Sequence, residues 1–444
     1  MLKLIDQKDE ELRQRLFSLS VDDKEYWSFK GNSNREYGHG LFQYPAMMVP
    51  QLARTLLAEI CTVHSSFRDV GDPFMGSGTI LTESKLKGLN FWGTDINPLA
   101  FLLCKVKSGP FFLDELEAKS NELRKNIANE NSKNCDISFR NIDKWFRQDI
   151  QKALSRLRVC IKRESALWVR RFFWITLAET VRNTSNSRTS TFKLHTRTQE
   201  DIKGREVNPV LFFLKTLDRN LRLYKSEYEY LKRSGFLDKR NYSGSIDIFL
   251  SDIKKVETHK KNDLIITSPP YGDNATTVPY GQYSYLPLQW IELADIDKNI
   301  NPDVLSTTHT IDSSSLGGNL NEAIKSYDEL SGIAPSLEVY ADSIKDMPKD
   351  RLTRVCAFLR DLNQALPVIL NRLETNGLMV WVLGNRKVGG QRVPLDTILT
   401  ELFESHNTTL ICKLARSIPS KRMALKNSLT QTMSKESIIV LRKN

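Results

Sequence analysis

The spacing of apolar positions changes character several times along the 444-residue chain. From Tyr44 to Ile60, YPAMMVPQLARTLLAEI reads as a turn followed by an amphipathic helix, because apolar residues return every three or four positions. Val70 leads into the glycine-rich turn DPFMGSG, and Thr79–Leu86 then returns to helical spacing. The short apolar run NFWGT (90–94) predicts a strand ending at Asp95. Strand, glycine turn, helix and strand together form the opening of a doubly wound α/β unit.

Regular alternation then stops. Residues 110–240 predict a largely helical stretch with Arg- and Lys-rich faces and a polar loop, RNTSNSRTSTFKLHTR, at 182–197. Strand signals resume at IDIFL (246–250), just ahead of Asp252, and at LIIT (264–267). Residues 292–350, rich in Asp, Ser and Asn, read as irregular; a long helix at 351–374 and the strand LMVWVLG (378–384) follow. TTLICKLARSI and ESIIVLRK read as a closing antiparallel pair. Residues 1–40 are polar and are expected to be peripheral. The simplest architecture is one Rossmann-like sheet with two insertions. Residues 41–109 and 241–444 would form the catalytic domain, 110–240 a basic helical insertion, and 292–350 an irregular one.

Composition narrows the class. Hydrophobic residues at 40% and charged residues at 26% are ordinary for a globular protein. No run approaches the ~20 apolar residues a membrane span needs, and MLKLIDQKDEELRQRL lacks the apolar core of a secretory signal. The six cysteines are scattered without a CxxC pair, and the histidines show no ligand spacing; buried reduced thiols and no metal are expected. Net charge is +11, and residues 151–240 hold about twelve more positive than negative charges. That excess suits a polyanion-binding face or a solvated helical surface equally well.

Two motifs carry chemistry. In Asp72-Pro73-Phe74-Met75-Gly76-Ser77-Gly78-Thr79, glycines at a strand-to-helix turn let the backbone approach a ligand closely, and the helix N-terminus favours an electronegative group. Asp95, at the end of the next strand, suits a bidentate hydrogen bond to ribose hydroxyls. The second motif, Thr267-Ser268-Pro269-Pro270-Tyr271-Gly272, follows the strand LIIT directly. Paired prolines fix the backbone and remove donors, leaving carbonyls free to accept. A carbonyl and the Ser268 hydroxyl can both accept from an exocyclic NH₂, and Tyr271 offers a flat face for a base. Alone, this segment is equally readable as an ordinary Pro-Pro loop.

Together DPFMGSGT and TSPPYG resemble motifs I and IV of the amino-methyltransferases that act on adenine N6 or cytosine N4 in DNA. YPAMMVP (44–50) resembles that family's motif X, which implies Tyr44 and Pro45 at the methionine end of the cofactor. Asp95 matches the acidic residue of motif II, and Asp252 the motif III residue at the cofactor's adenine. The resemblance implies further cofactor-site residues at Asp72, Pro73, Phe74, Gly76, Gly78, Thr79 and Asn97. VLGNRKVGG (382–390) resembles the segment after the fifth strand, which would bring Asn385 and Arg386 to the active site and the DNA. LARSIPSKRM…MSKESIIVLRK is similar to the closing hairpin of cytosine-N4 members. The implied fold is the Rossmann-like class I methyltransferase fold: α/β, a mixed seven-stranded sheet with helices on both faces. The implied cofactor is S-adenosylmethionine, the substrate double-stranded DNA, the setting a prokaryotic cytoplasm, and a candidate partner a cognate restriction endonuclease.

Adenine enzymes usually carry DPPY or NPPY, whereas SPPY is typical of cytosine-N4 enzymes, so Ser268-Pro269-Pro270-Tyr271 points to cytosine. Adenine N6 is the alternative, because serine and aspartate both accept from an amino group. An RNA guanine-N2 methyltransferase is less favoured, since only the polar residues 1–40 precede motif X where such enzymes commonly carry an RNA-binding module. Against an inactive DNA-binding relative stand Gly76, Gly78, Asp95 and the complete SPPY. Hydrogen bonds to Ser268 and the Pro269 carbonyl would localise the amine lone pair for direct attack on the sulfonium methyl, with proximity supplying much of the acceleration. The base must be flipped out of the duplex and stacked, a task assigned to Tyr271. Tyr280, Tyr283, Tyr285 and Trp290 are expected mostly to pack in the core. The basic insertion is the candidate target-recognition region, with Arg188, Lys193 and Arg197 on its polar loop the candidate DNA contacts; residues 292–350 compete for that role.

Overall fold

A computed structural model describes residues 2–444 except 34, 132–133, 258–259, 274–276, 389 and 419–433. The central sheet comprises β1 (Asp69–Asp72), β2 (Asn90–Asp95), β3 (Ile246–Leu250), β4 (Asn262–Thr267), β5 (Leu373–Gly384), β6 (Thr408–Ser417) and β7 (Lys435–Lys443). These seven strands lie in the order β6-β7-β5-β4-β1-β2-β3. β7 runs antiparallel to both neighbours, and the other pairings are parallel. This is the mixed sheet of the class I methyltransferase fold. The closing pair is present as expected, with β7 inserted between β5 and β6; the connecting residues 419–433 lie outside the described residues.

The strands read as continuous apolar runs because both faces are covered. Leu264, Ile266, Leu378, Val380, Val382, Ile438 and Val440 point into one hydrophobic cluster. Their alternates Ile265, Met379, Trp381, Leu383, Ile439 and Leu441 point into another. The first cluster is closed by α1 (Leu2–Ser18), α2 (Pro50–Val63), α3 (Thr79–Leu86) and α4 (Pro98–Lys107). α1 corrects the expectation for residues 1–40. Leu12 and Leu16 are fully buried, so a helix charged on most of its circumference docks through one narrow stripe.

The insertion between β2 and β3 is helical as read, with α5 (Leu113–Asn129), α6 (Gln148–Lys162), α7 (Leu167–Thr184) and α8 (Pro209–Arg233). Its core joins the first cluster through Leu116, Leu154, Phe172 and Phe213, so it packs as an extension of the sheet's covering layer. α8 starts where Asn208 accepts from Leu211 N and Pro209 takes the first helical position. A buried ion pair, Lys85 with Glu227, ties α3 to α8. Several of the insertion's arginines face inward: Arg158 pairs with Asp136 and Glu292, Arg170 with Asp295, and Arg219 with Glu179.

Residues 292–350 are not wholly irregular. They contain the helices Tyr327–Ile333 and Pro335–Ser343 among shorter turns. These pack in the second cluster with α10 (Asp350–Asn371) and α11 (Leu395–Ser405), while α9 (Tyr280–Gln289) belongs to the first. Among the described residues no helix is long and apolar enough to cross a membrane, and no group of three or more His, Cys, Asp or Glu is placed to hold a metal.

Candidate active site

The two motifs leave neighbouring strands. β1 pairs with β4 through Val70 with Leu264 and Gly71 with Ile265, so the glycine turn and the Pro-Pro loop emerge side by side at the carboxyl edge of the sheet. A direct hydrogen bond joins them: Thr267 Oγ1 donates to Asp72 Oδ1 at 2.7 Å. Between them opens a cleft lined by both Gly76 and Ser268. Its place, at the carboxyl ends of adjacent strands, is where ligands bind in doubly wound sheets.

The glycine turn is held by its own backbone. Gly78 N donates to Met75 O (2.7 Å) and Met75 N to Thr94 O (3.0 Å). Gly78 begins α3 at φ +71°, and a Cβ there would meet Cys104 Sγ at 2.8 Å, so only glycine fits. Gly76, at φ +47°, differs: the nearest atom to a Cβ would be Tyr44 Cε1 at 3.8 Å, so its backbone stays open to the cleft. Gly76 N donates to Asp95 Oδ2 at 2.9 Å, and Asn97 N to Asp95 Oδ1 at 2.8 Å.

Two carboxylates dominate the electrostatics. Burial pushes the Asp72 carboxyl up to about 7, although Thr267 and Phe74 N both donate to it. Burial likewise raises Asp95 to about 6 against the backbone N–H groups it accepts from. Among the described residues neither forms a salt bridge. Two desolvated acids without a cation fit a ligand that brings positive charge and hydroxyl donors, as a sulfonium nucleoside does.

The remaining cofactor-side candidates line the same cleft: Pro45, Pro73, Phe74, Thr79 and Asp252. Phe74 stands edge-on to Trp381 at 6.2 Å. Asp252 lies two residues beyond β3, where Oδ1 accepts from Lys254 N (2.9 Å). Tyr44 is buried and stacks on Tyr280 (centroids 5.8 Å apart, 22° between planes). Asn97 reaches the wall of the cleft with its polar atoms engaged. It donates to Tyr44 OH (3.0 Å) and Ser284 Oγ (2.8 Å), and accepts from Leu99 N to cap α4.

On the other side of the cleft, Ser268 and Pro270 line the opening, and Pro269 is buried behind them. Tyr271 OH lies 3.4 Å from Ser268 Oγ and donates to Glu436 Oε1 at 2.9 Å. Burial, and next the Glu436 charge, hold the Tyr271 phenol well above its ordinary range. Asp273 is buried and joined by Arg386 (3.0 Å) and Arg354 (3.5 Å). Of the downstream aromatics Tyr283, Tyr285 and Trp290 are in the core, and Tyr280 alone lines the cleft.

The polar loop of the insertion comes to α9, the helix that follows the Pro-Pro loop. Leu194 N donates to Gln282 Oε1 (3.3 Å), and Phe192 packs edge-on to Tyr283. A bridge between Ser187 and Thr196 closes the loop. Arg188 is exposed at its tip, while Lys193 and Arg197 are half-buried. Asn385 is engaged elsewhere: it donates to Asp396 Oδ1 (2.6 Å) and accepts from Asp396 N (3.1 Å).

Sequence reasoning passed over several residues that the fold brings here. Glu436 comes from the last strand, Thr267 ties the loops, and Ile311, Ser314, Ser315 and Leu316 reach the cleft from the region read as irregular. Only Thr267 carries a local signal, since it ends a strand directly before the proline pair.

No protein-family model matches the chain. It is 32% identical over 461 aligned residues, covering 99% of both chains, to the Type II methyltransferase M.MvaI of Kocuria varians. It is also 32% identical over 100 residues, covering 21% of this chain and 18% of the other, to the Type II methyltransferase M.MjaII of Methanocaldococcus jannaschii. Among solved structures, the rRNA methyltransferase aviRa from Streptomyces viridochromogenes aligns with a TM-score of 0.32 and 10% identity, over 90% of this chain and 86% of that one. Full-length similarity at this identity, on a class I sheet, makes the chain a member of the Type II methyltransferases, DNA methyltransferases that use S-adenosylmethionine.

Proposed function

We propose that the chain methylates the N4 exocyclic amine of a cytosine flipped out of double-stranded DNA, as the modifying partner of a restriction endonuclease. The observation that carries this reading is the shared cleft: the Gly76 turn and Ser268 face one space from adjacent strands. S-adenosylmethionine supplies an electrophilic methyl group on a sulfonium centre. Asp95 is suited to the ribose hydroxyls and Asp252 to the adenine. Asp72 and Asp95 supply negative charge for a cationic ligand, and Tyr44 and Pro45 flank its methionine end. Ser268 Oγ and the Pro269 carbonyl accept from the target amine, holding it in line and localising its lone pair, while the Tyr271 ring lies against the flipped base.

The cytosine assignment rests on serine at 268, where adenine enzymes usually carry an acid or amide. Arg188, Lys193 and Arg197 belong to the DNA interface in this reading, beside the loop that receives the base; Arg386 acts through Asp273 in shaping that loop. The test is expression in a methylation-deficient bacterial host followed by modification-sensitive sequencing of its genome. N4-methylcytosine in a short defined site, abolished by Tyr271→Ala, is expected. N6-methyladenine would overturn the base assignment, and an unmodified genome the enzymatic one.

A further inference from the structure

Methyl transfer to an amine leaves a proton to be disposed of, and the carboxylate of the Pro-Pro loop, Asp273, is paired with Arg386 and Arg354. As the C–N bond forms and the S–C bond breaks, the broken bond's electron pair stays on sulfur. The nitrogen becomes cationic and must lose one N–H proton. Serine is a poor resting place for that proton, because a protonated hydroxyl is a strong acid. An aspartate at the same position would have been a direct acceptor.

The fold brings a carboxylate to the same point from the far end of the sequence. Glu436 is the second residue of β7, in register with Gly384 of β5, a residue with no side chain to stand between β7 and the loop after β4. Its Oε1 accepts from Tyr271 OH at 2.9 Å, and Tyr271 OH lies 3.4 Å from Ser268 Oγ. Its Oε2 accepts from Arg416 Nη1 at 2.6 Å, and Arg416 Nε donates to Trp27 O at 3.0 Å. Arg416 thus fixes one oxygen of the carboxylate and leaves the other aimed at Tyr271. The result is a continuous line of exchangeable groups, Ser268 Oγ, Tyr271 Oη and Glu436 Oε1, running from the cleft to a side chain with 13% of its surface exposed.

We propose that Glu436 is the terminal proton acceptor of the reaction, reached through the hydroxyls of Ser268 and Tyr271. This rests on the amino-methyltransferase reading above and holds for either base. Ser268 Oγ takes the N–H proton as it passes its own to Tyr271 Oη, which passes its own to Glu436 Oε1. Serine and tyrosine end as they began, with their hydrogen bonds reversed. The positive charge on nitrogen and the negative charge on Glu436 are neutralised together, and the carboxylic acid returns its proton to water after product leaves. Burial keeps the tyrosine phenol protonated at rest, so it serves as a conduit rather than as a base.

The test uses the purified full chain, S-adenosylmethionine with a labelled methyl group, and genomic DNA from an unmethylated host. Single-turnover rates and the affinities for cofactor and DNA are measured separately. Glu436→Gln keeps an oxygen for Tyr271 to donate to but cannot hold the proton. Its rate is expected to fall roughly hundredfold or more with both affinities unchanged, and Glu436→Asp to recover part of the loss. Tyr271→Phe keeps the ring and breaks the line, with the same expected loss. The double variant should be no slower than the slower single one, because both interrupt one path. A folded Glu436→Gln protein with the wild-type rate overturns the relay, as does a loss that appears only in the affinities. Should Glu436→Gln fail to fold beside Arg416, Tyr271→Phe at the wild-type rate overturns it instead. A wild-type chain that methylates no DNA amine removes the functional reading itself, whereas an active wild type with an equally fast Glu436→Gln removes the relay alone.

Discussion

Replacing Asp72 with asparagine separates what this residue costs the empty protein from what it contributes to the bound one. Asp72 is 4% exposed, and its carboxyl is raised from 3.8 to about 7 by burial. That difference corresponds to roughly 4 kcal/mol between the ionised and neutral forms. The folded-state value lies above the unfolded one, so the contribution of the neutral acid is complete below about pH 4 and is lost as pH rises through about 7. Both donors, Thr267 Oγ1 and Phe74 N, address the same oxygen, Oδ1, which asparagine retains. Asp72→Asn should therefore stabilise the cofactor-free protein at pH 8 by up to roughly 4 kcal/mol, about 4 °C in Tm for a chain of this length, and leave it unchanged at pH 4. A cationic cofactor favours the ionised form, so its affinity for the wild type should rise between pH 6 and 8 as Asp72 and Asp95 ionise, and the variant should lose much of the S-adenosylmethionine-induced rise in Tm. Thermal melts at both pH values, with and without cofactor, supply the readout. A variant that melts below wild type at pH 8 without cofactor, or that keeps the full cofactor-induced rise, refutes the reasoning.

Other expectations follow from particular residues. Gly76→Ala should cost about 1–2 kcal/mol for its left-handed backbone and abolish cofactor-induced stabilisation, because its methyl projects into open cleft. Gly78→Ala should cost more, and Cys104→Ala should recover part of the loss by removing the sulfur 2.8 Å from the new methyl; urea melts of the single and double variants measure both. Glu227→Gln strands Lys85 in the core and should destabilise by about 3–5 kcal/mol in the same assay. Joint replacement of Arg188, Lys193 and Arg197 by alanine should weaken DNA binding, with the circular dichroism spectrum unchanged. The salt slope should fall by about one for each phosphate that these side chains no longer neutralise.

What could be read from the sequence was what the backbone settles locally. The Gly76–Gly78 turn, the 79–86 helix and the Pro269–Pro270 loop are specified by residues adjacent in the chain. Their adjacency in space follows from ordinary doubly wound topology. Strands buried on both faces announce themselves as apolar runs. The rest depended on pairings between residues far apart in the chain, 165 positions for Tyr271 and Glu436. Nothing near Glu436 marks it as a partner of Tyr271, since β7 reads only as an apolar strand with a charged start. The charge count of the insertion gave no sign that Arg158, Arg170 and Arg219 are matched to carboxylates from other elements. Leu12 and Leu16 form too narrow a stripe to stand out in a charged helix, and Ile311 and Leu316 enter the cleft from a segment whose periodicity is broken by short turns. Asn385, read as a site residue from its neighbours in sequence, has its side chain hydrogen-bonded to Asp396, a partner that its neighbours do not announce.

In the proposed reaction a methyl group crosses from the Gly76 side to an amine held at Ser268. The most direct test is to treat unmethylated DNA with the purified protein and isotopically labelled S-adenosylmethionine, digest it to nucleosides and locate the label by mass spectrometry. Label on the exocyclic nitrogen of cytosine is the predicted result. Label on a ring carbon, which would require a covalent enzyme nucleophile rather than the Ser268–Pro269 acceptors, would contradict it.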